Sequence, residues 1–131
     1  MSINYSSVSR IPIKININEA VFYGDLVRHL SPLTVKKIIE HLPLSNRTSK
    51  FEKICVYVKT NLELGSEKSK KDFKKGDLAF SPSGSFICIF LKDHIHNQLL
   101  NPIGNIHDDN IEVLSELKTG TILTISKNNN L

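Results

Sequence analysis

The chain has 131 residues, 40% of them hydrophobic and 23% charged, which suits one domain and excludes a disordered chain, a collagen-like fibre or a disulfide-stapled miniprotein. No stretch approaches the roughly 18 apolar residues of a spanning helix, and residues 1–10 lack the apolar centre of a secretory leader, so a cytoplasmic protein without a membrane partner is expected. The net charge of +4 is uneven, residues 1–75 carrying 14 Lys/Arg against 7 Asp/Glu and residues 76–131 carrying 3 against 6.

Residues 1–9 can bury little and are expected to form a flexible tail. Ile11, Ile13, Ile15 and Ile17 then alternate with Pro12, Lys14 and Asn16, the period of a half-buried strand. Asn18-Glu19-Ala20 predicts a turn, and residues 21–30 a second strand, so the two form a hairpin. Ser31-Pro32 signals a helix start, with Ser31 accepting a hydrogen bond from an orphan amide. Val35, Ile38, Ile39 and Leu42 follow at helical spacing, and this amphipathic helix should end before Pro43.

Residues 44–51 are polar and are expected to connect, not to pair. They hold a glycosylation sequon, Asn46-Arg47-Thr48, which is meaningless without a secretory route. Lys53-Ile54-Cys55-Val56-Tyr57-Val58-Lys59 reads as a strand. Residues 61–75 form a loop or weak hairpin carrying Lys68, Lys70, Lys71, Lys74 and Lys75. Leu78-Ala79-Phe80 and residues 85–91 are strands about the turn Ser81-Pro82-Ser83-Gly84, the second apolar on both faces and so covered on both sides. Ile103-Gly104-Asn105-Ile106 is a further short strand. Asp109 with Glu112 caps a second helix whose stripe is Ile111, Leu114 and Leu117, stopped at Gly120. Residues 121–126 make the last strand, and residues 128–131 a tail.

About seven to eight strands with a helix near either end favour a mainly β fold, a closed antiparallel barrel over residues 10–127 plugged by two helices. Burial is expected for Ile13, Ile15, Val56, Val58, Ile87, Ile89, Ile122 and Leu123, with Val35, Ile38, Ile39 and Leu42 closing one end.

Several fragments carry a resemblance in this order. Gly24-Asp25-Leu26-Val27, then Ser31-Pro32-Leu33-Thr34-Val35 and its helix, resembles the opening of cyclophilins, and Phe86-Ile87-Cys88 resembles one of their strands. Gly76-Asp77-Leu78, Phe80, Pro82-Ser83-Gly84, Cys88-Ile89-Phe90 and Ile103-Gly104-Asn105-Ile106 are similar to the small prokaryotic cyclophilin-like proteins of unknown function. The resemblance implies a cyclophilin-like barrel across residues 10–126. It also places Phe86 on the position of the cyclophilin groove phenylalanine and makes the turn beside it a rim.

Cyclophilins isomerise Xaa-Pro bonds against a barrier of about 18–20 kcal/mol with an arginine that weakens amide conjugation. Where that signature stands, this chain reads Phe51-Glu52-Lys53-Ile54-Cys55-Val56-Tyr57-Val58, with neither the arginine nor the glutamine and glycines. Lys53 cannot reproduce a planar guanidinium fork, so no catalytic residue is assigned. Prolyl isomerisation from a rearranged site, with Arg28 or Arg47 supplying the donor, is one alternative.

Other chemistry is thinner. His94-Ile95-His96 could present two imidazoles on one face of an extended segment, with His107 or Asp93 as a third metal ligand, but a solvent-exposed loop is the plainer reading and no metal or other cofactor is assigned. Cys55 and Cys88 read as buried, reduced thiols. The lysine run supports weak nucleic-acid association as a second alternative, against the plain reading of a solvated loop. No serine-nucleophile elbow and no phosphate-cradling glycine loop is present. The expected function is therefore to hold an extended peptide or small ligand in a surface groove lined by Tyr57, Phe80, Pro82 and Phe86.

Overall fold

A computed structural model describes residues 9–128; the expected tails lie outside these residues apart from Ser9 and Asn128. Among the described residues nine strands, β1 (Arg10–Ile17), β2 (Ala20–Val27), β3 (Leu44–Phe51), β4 (Cys55–Lys59), β5 (Lys70–Phe73), β6 (Asp77–Ser81), β7 (Phe86–Phe90), β8 (His94–Ile106) and β9 (Ile122–Lys127), are accompanied by an α-helix, α1 (Pro32–Glu40). Short 3-10 helices span Arg28–Leu30 and Ile111–Glu116. Eight strands run in the order β2-β1-β9-β3-β4-β7-β6-β8, and pairing of β8 with β2 closes the antiparallel barrel. β5 stands outside it, paired with β8 alone.

Alternation builds the interior. Ile13, Ile15 and Ile17 of β1, Val56 and Val58 of β4, Leu78 and Phe80 of β6, and Ile87 and Ile89 of β7 all point into one buried cluster. Val35 and Ile38 of α1 close one opening, with Ile39 and Leu42 packed against them half-buried. Leu123 is buried but Ile122 is 47% exposed, because neighbouring residues on a strand face opposite ways. The inward set of β9 is Leu123 and Ile125.

The closing seam brings two backbones too near for side chains. A Cβ on Gly24 would run into the Asn105 carbonyl, and one on Gly104 into the Asp25 carbonyl. Glycine at both positions is what lets β2 and β8 pair there.

Four expectations are corrected. Residues 44–51 are an eight-residue strand, β3, held between β9 and β4. Only Thr48 of this strand is buried, so the backbone ladders on both sides, not an apolar face, make it a strand. The short strand at 103–106 is the end of a 13-residue strand, β8, which takes in His94 and His96. β5 is a strand that pairs with β8 where a loop or weak local hairpin was expected, and its Phe73 is fully buried. The second helix is a 3-10 helix with no side-chain cap, although Ile111 and Leu114 are buried and Gly120 takes positive φ as expected.

The helix start is corrected too. Ser31 makes no side-chain cap; its hydroxyl donates to the Glu67 carbonyl (3.2 Å). The orphan amides of Leu33 (2.9 Å) and Thr34 (2.8 Å) donate instead to the Glu67 carboxylate, which also accepts from the Thr34 hydroxyl (2.9 Å). Burial alone would push this carboxyl up, but these hydrogen bonds outweigh it and hold its pKa below the usual range. A lowered carboxylate pKa stabilises the fold above the unfolded value near about 4.3 and loses that contribution as pH falls through the folded value. Glu67→Gln should therefore lower stability at neutral pH by about 0.5–2 kcal/mol and flatten its acid dependence, as denaturant titrations at several pH values would show.

Most of the lysine run is engaged within the protein. Lys68 donates to the His29 carbonyl (2.9 Å), Lys75 to the Asp109 carbonyl (2.7 Å) and to Glu112 (2.7 Å). Lys74 lies 3.7 Å from Asp72, and Lys70 sits over the Phe73 ring. Among the described residues no helix is long and apolar enough to cross a membrane.

Candidate functional site

The strands that send Val56, Val58, Ile87 and Ile89 inward send their alternate residues out. Cys55 and Tyr57 of β4, Phe86, Cys88 and Phe90 of β7 and Ala79 of β6 thus share the barrel's outer surface. A second apolar cluster forms there, covered by Phe73 of β5 and Leu100 of β8. Phe73 stacks on Phe90 with centroids 4.7 Å apart and planes within 5°. This is why residues 85–91 are apolar on both faces.

The cover comes from the first half of β8. Asn101–Ile106 lie in the barrel, while His94–Leu100 form an arm that leaves it to pair with β5. Register slips along that pairing: Phe73 faces His94 and Asp72 faces Ile95, yet Lys70 faces Leu100. Residues 96–99 therefore bulge with no ladder partner in β5. Bulges re-aim side chains beside functional sites, and this one brings His96, Asn97 and Gln98 to a cavity of about 260 Å³.

Cys55, Cys88, Tyr57, Phe86 and Phe51 complete the lining. The Tyr57 and Phe86 rings are in contact, with centroids 4.8 Å apart and planes tilted by 38°. Phe51 meets His96 edge-on at 6.3 Å. The two cysteines are free and buried, and the hydrogen bond with Cys55, with burial adding to it, holds the Cys88 thiol well above its usual pKa. Burial, and then the neighbouring His94, lower the pKa of His96, so its imidazole is neutral at neutral pH. No protein group hydrogen-bonds that ring among the described residues, and its Nδ1 is sealed from solvent.

Of the four residues expected to line the groove, the structure brings two together. Tyr57 and Phe86 are half-buried walls of the cavity. Phe80 is fully buried inside the barrel, one residue out of phase with the outer face, and lines no groove. Pro82 is half-buried in the Ser81-to-Gly84 turn, which the Gly84 amide closes by donating to the Ser81 hydroxyl (3.1 Å). The turn supports the site from beside it: a Cβ on Gly84 would run into the Phe86 ring. Phe51, Asn97 and Gln98 were missed. The alternation His94, His96, Gln98 was the available signal, disguised by having no apolar face.

The other candidate chemistry is dispersed. His94 and His96 have ring centroids 5.6 Å apart, but His107 instead lies 2.8 Å from Asp25, and Asp93 accepts from the Lys75 amide (2.9 Å). Among the described residues no group of three or more His, Cys, Asp or Glu is placed to hold a metal. Lys53 is exposed, and none of the three arginines lines the cavity; Arg10 pairs with Asp25 (3.3 Å) and Arg47 donates to the Gly120 carbonyl (3.2 Å). A larger cavity of about 370 Å³ lies between α1 and residues 63–67, where the Glu67 carboxylate is already taken up by the helix amides.

Solved structures share the barrel. A hypothetical protein from Archaeoglobus fulgidus, AF2241, superposes with a TM-score of 0.76 at 23% identity, covering 92% of this chain and 96% of that one. McbB, solved in complex with tryptophan, superposes with a TM-score of 0.72 at 13% identity, covering 91% of this chain and 45% of McbB. No curated protein sequence matches. The family described as Cyclophilin-like matches residues 11–126, nearly the whole barrel, and to that cyclophilin-like family this chain belongs.

Proposed function

We propose that the protein is a binding module that holds an extended peptide or a small ligand against the outer face of β4 and β7, without standard prolyl isomerase catalysis. The observation that carries this reading is the cavity at the β8 bulge, where exposed aromatic surface, buried thiols and unpaired polar groups converge on one hollow. Apolar walls with a few convergent polar groups are what small-ligand sites have in common. Backbone groups of residues 96–99, left unpaired by β5, favour an extended peptide in the manner of an added strand. Tryptophan bound to McbB, a protein of the same fold, makes a free amino acid a natural member of any ligand screen. Such a screen of short unstructured peptides and metabolites should yield binders whose affinity falls at least about tenfold in Phe86→Ala; equal affinity in the variant would contradict the reading.

Catalysis of the cyclophilin kind needs a donor fork fixed beside the prolyl amide. Lys53 is exposed and outside the cavity. Wild type and Lys53→Arg are both expected to leave cis/trans exchange of a proline tetrapeptide at its uncatalysed rate. Exchange spectroscopy measures this directly, and acceleration by either protein would mean that another group supplies the donor.

A further inference from the structure

Two side chains of the cavity at the β8 bulge take no part in the binding role. Cys55 of β4 and Cys88 of β7 are free, each is 1% exposed, and their thiols are hydrogen-bonded to one another. Both stand on the barrel's outer face and both line the cavity. A cysteine side chain ends one atom past its Cβ, so side chains placed in this way turn their sulfurs toward the hollow. Whatever reaches them comes through it and is small.

The register of the ladder decides what can join the two sulfurs. Cys88 lies directly opposite Tyr57, and Cys55 opposite Phe90, so the cysteines are diagonal neighbours with Cα atoms roughly 7–8 Å apart. A disulfide wants about 4.4–6.8 Å, and both strands are fixed in a closed barrel, β4 between β3 and β7, β7 between β4 and β6. Joining the sulfurs directly would drag the ladder; a single atom set between them would not. A proton already bridges them. Among the described residues no third His, Cys, Asp or Glu joins the pair, although His96 lines the same cavity. That leaves no room for the four ligands of zinc and favours an ion satisfied by two sulfurs.

Going beyond the binding role and independently of it, we propose that Cys55 and Cys88 form a two-sulfur site for a soft monovalent cation, copper(I). Thiolates select such an ion over harder ones. On binding, both S–H bonds break, two Cu–S bonds form, two protons leave to solvent and no electron moves. Copper cancels one of the two thiolate charges. The carboxamides of Asn97 and Gln98 line the same cavity and can donate to the sulfurs, as the groups around a metal centre commonly do.

Under anaerobic, reducing conditions the full chain should withdraw one copper(I) per molecule from the coloured chelator bicinchoninate, and zinc(II) should not be retained. X-ray absorption of the copper-loaded wild type should show two sulfur neighbours and no nitrogen. Cys55→Ala and Cys88→Ala should each weaken retention at least about tenfold, since even a supporting group costs that much. Failure of the wild type to withdraw copper would overturn the inference. So would undiminished retention in the double variant, or nitrogen neighbours in the wild type, either of which would move the ion to donors such as His94 and His96. None of these results bears on the binding role, which is carried by Tyr57 and Phe86 and read through Phe86→Ala.

Discussion

Phe80→Ala should destabilise the protein by about 3–5 kcal/mol, lowering Tm by roughly 4 °C for each kcal/mol. The side chain is fully buried among the inward residues of β6 and β7, so truncation removes its transfer free energy and leaves a hole that a closed barrel cannot collapse to fill. Phe86, two residues from Cys88 on the outer face, is half-buried beside Tyr57. Phe86→Ala should therefore cost clearly less stability, about 1–2 kcal/mol, while removing a wall of the cavity. Thermal unfolding of the two variants side by side checks the assignment of faces. A larger loss for Phe86→Ala than for Phe80→Ala would reverse it.

Asn101→Ala should cost about 2–4 kcal/mol although it deletes no apolar contact. Asn101 is fully buried at the point where β8 enters the barrel. Its carboxamide donates to the Gly65 carbonyl (2.9 Å) and the Thr34 hydroxyl (3.1 Å) and accepts from the Glu67 amide (2.9 Å). One side chain thus ties residues 65–67 to the start of α1, and the Glu67 carboxylate, so placed, caps the helix. Alanine leaves the buried Thr34 hydroxyl, the Gly65 carbonyl and the Glu67 amide without this partner, and a half-satisfied network is worse than none. The Leu33 and Thr34 amides should exchange with solvent faster in the variant than amides of β1. A loss below about 1 kcal/mol, or unchanged exchange at those two amides, would show that residues 61–67 are held by something else.

What could be read from the residues follows the physics of burial. The alternating isoleucines of β1, the helical stripe of Val35 and Ile38 and the doubly apolar β7 announce themselves because each buries side chains at the period of its own backbone. β3 did not, since its ladders bind backbone to backbone and only Thr48 is fully buried, with Leu44 packed half-buried against the core. The arm of β8 failed to show for a related reason. His94, His96, Asn97 and Gln98 have no apolar rhythm, and a bulge breaks what alternation they have. The site was half legible accordingly: Tyr57 and Phe86 follow from strand phase, Phe80 was placed on the wrong face by one residue, and the bulged residues depend on a pairing with β5 that joins segments more than twenty positions apart. Glu67 at the head of α1 is a similar long-range event, invisible to local capping rules, which pointed to Ser31.

The most direct measurement is amide chemical-shift mapping of the full chain during titration with the tightest binder from a peptide and metabolite screen. The expected result is saturable shifts confined to Phe51, Cys55, Tyr57, Phe86, Cys88 and residues 96–98, with α1 and the β1–β2 hairpin unmoved. Shifts centred on α1 and residues 63–67, or on the lysines of β5, with the outer face of β4 and β7 silent, would contradict a binding site at the β8 bulge.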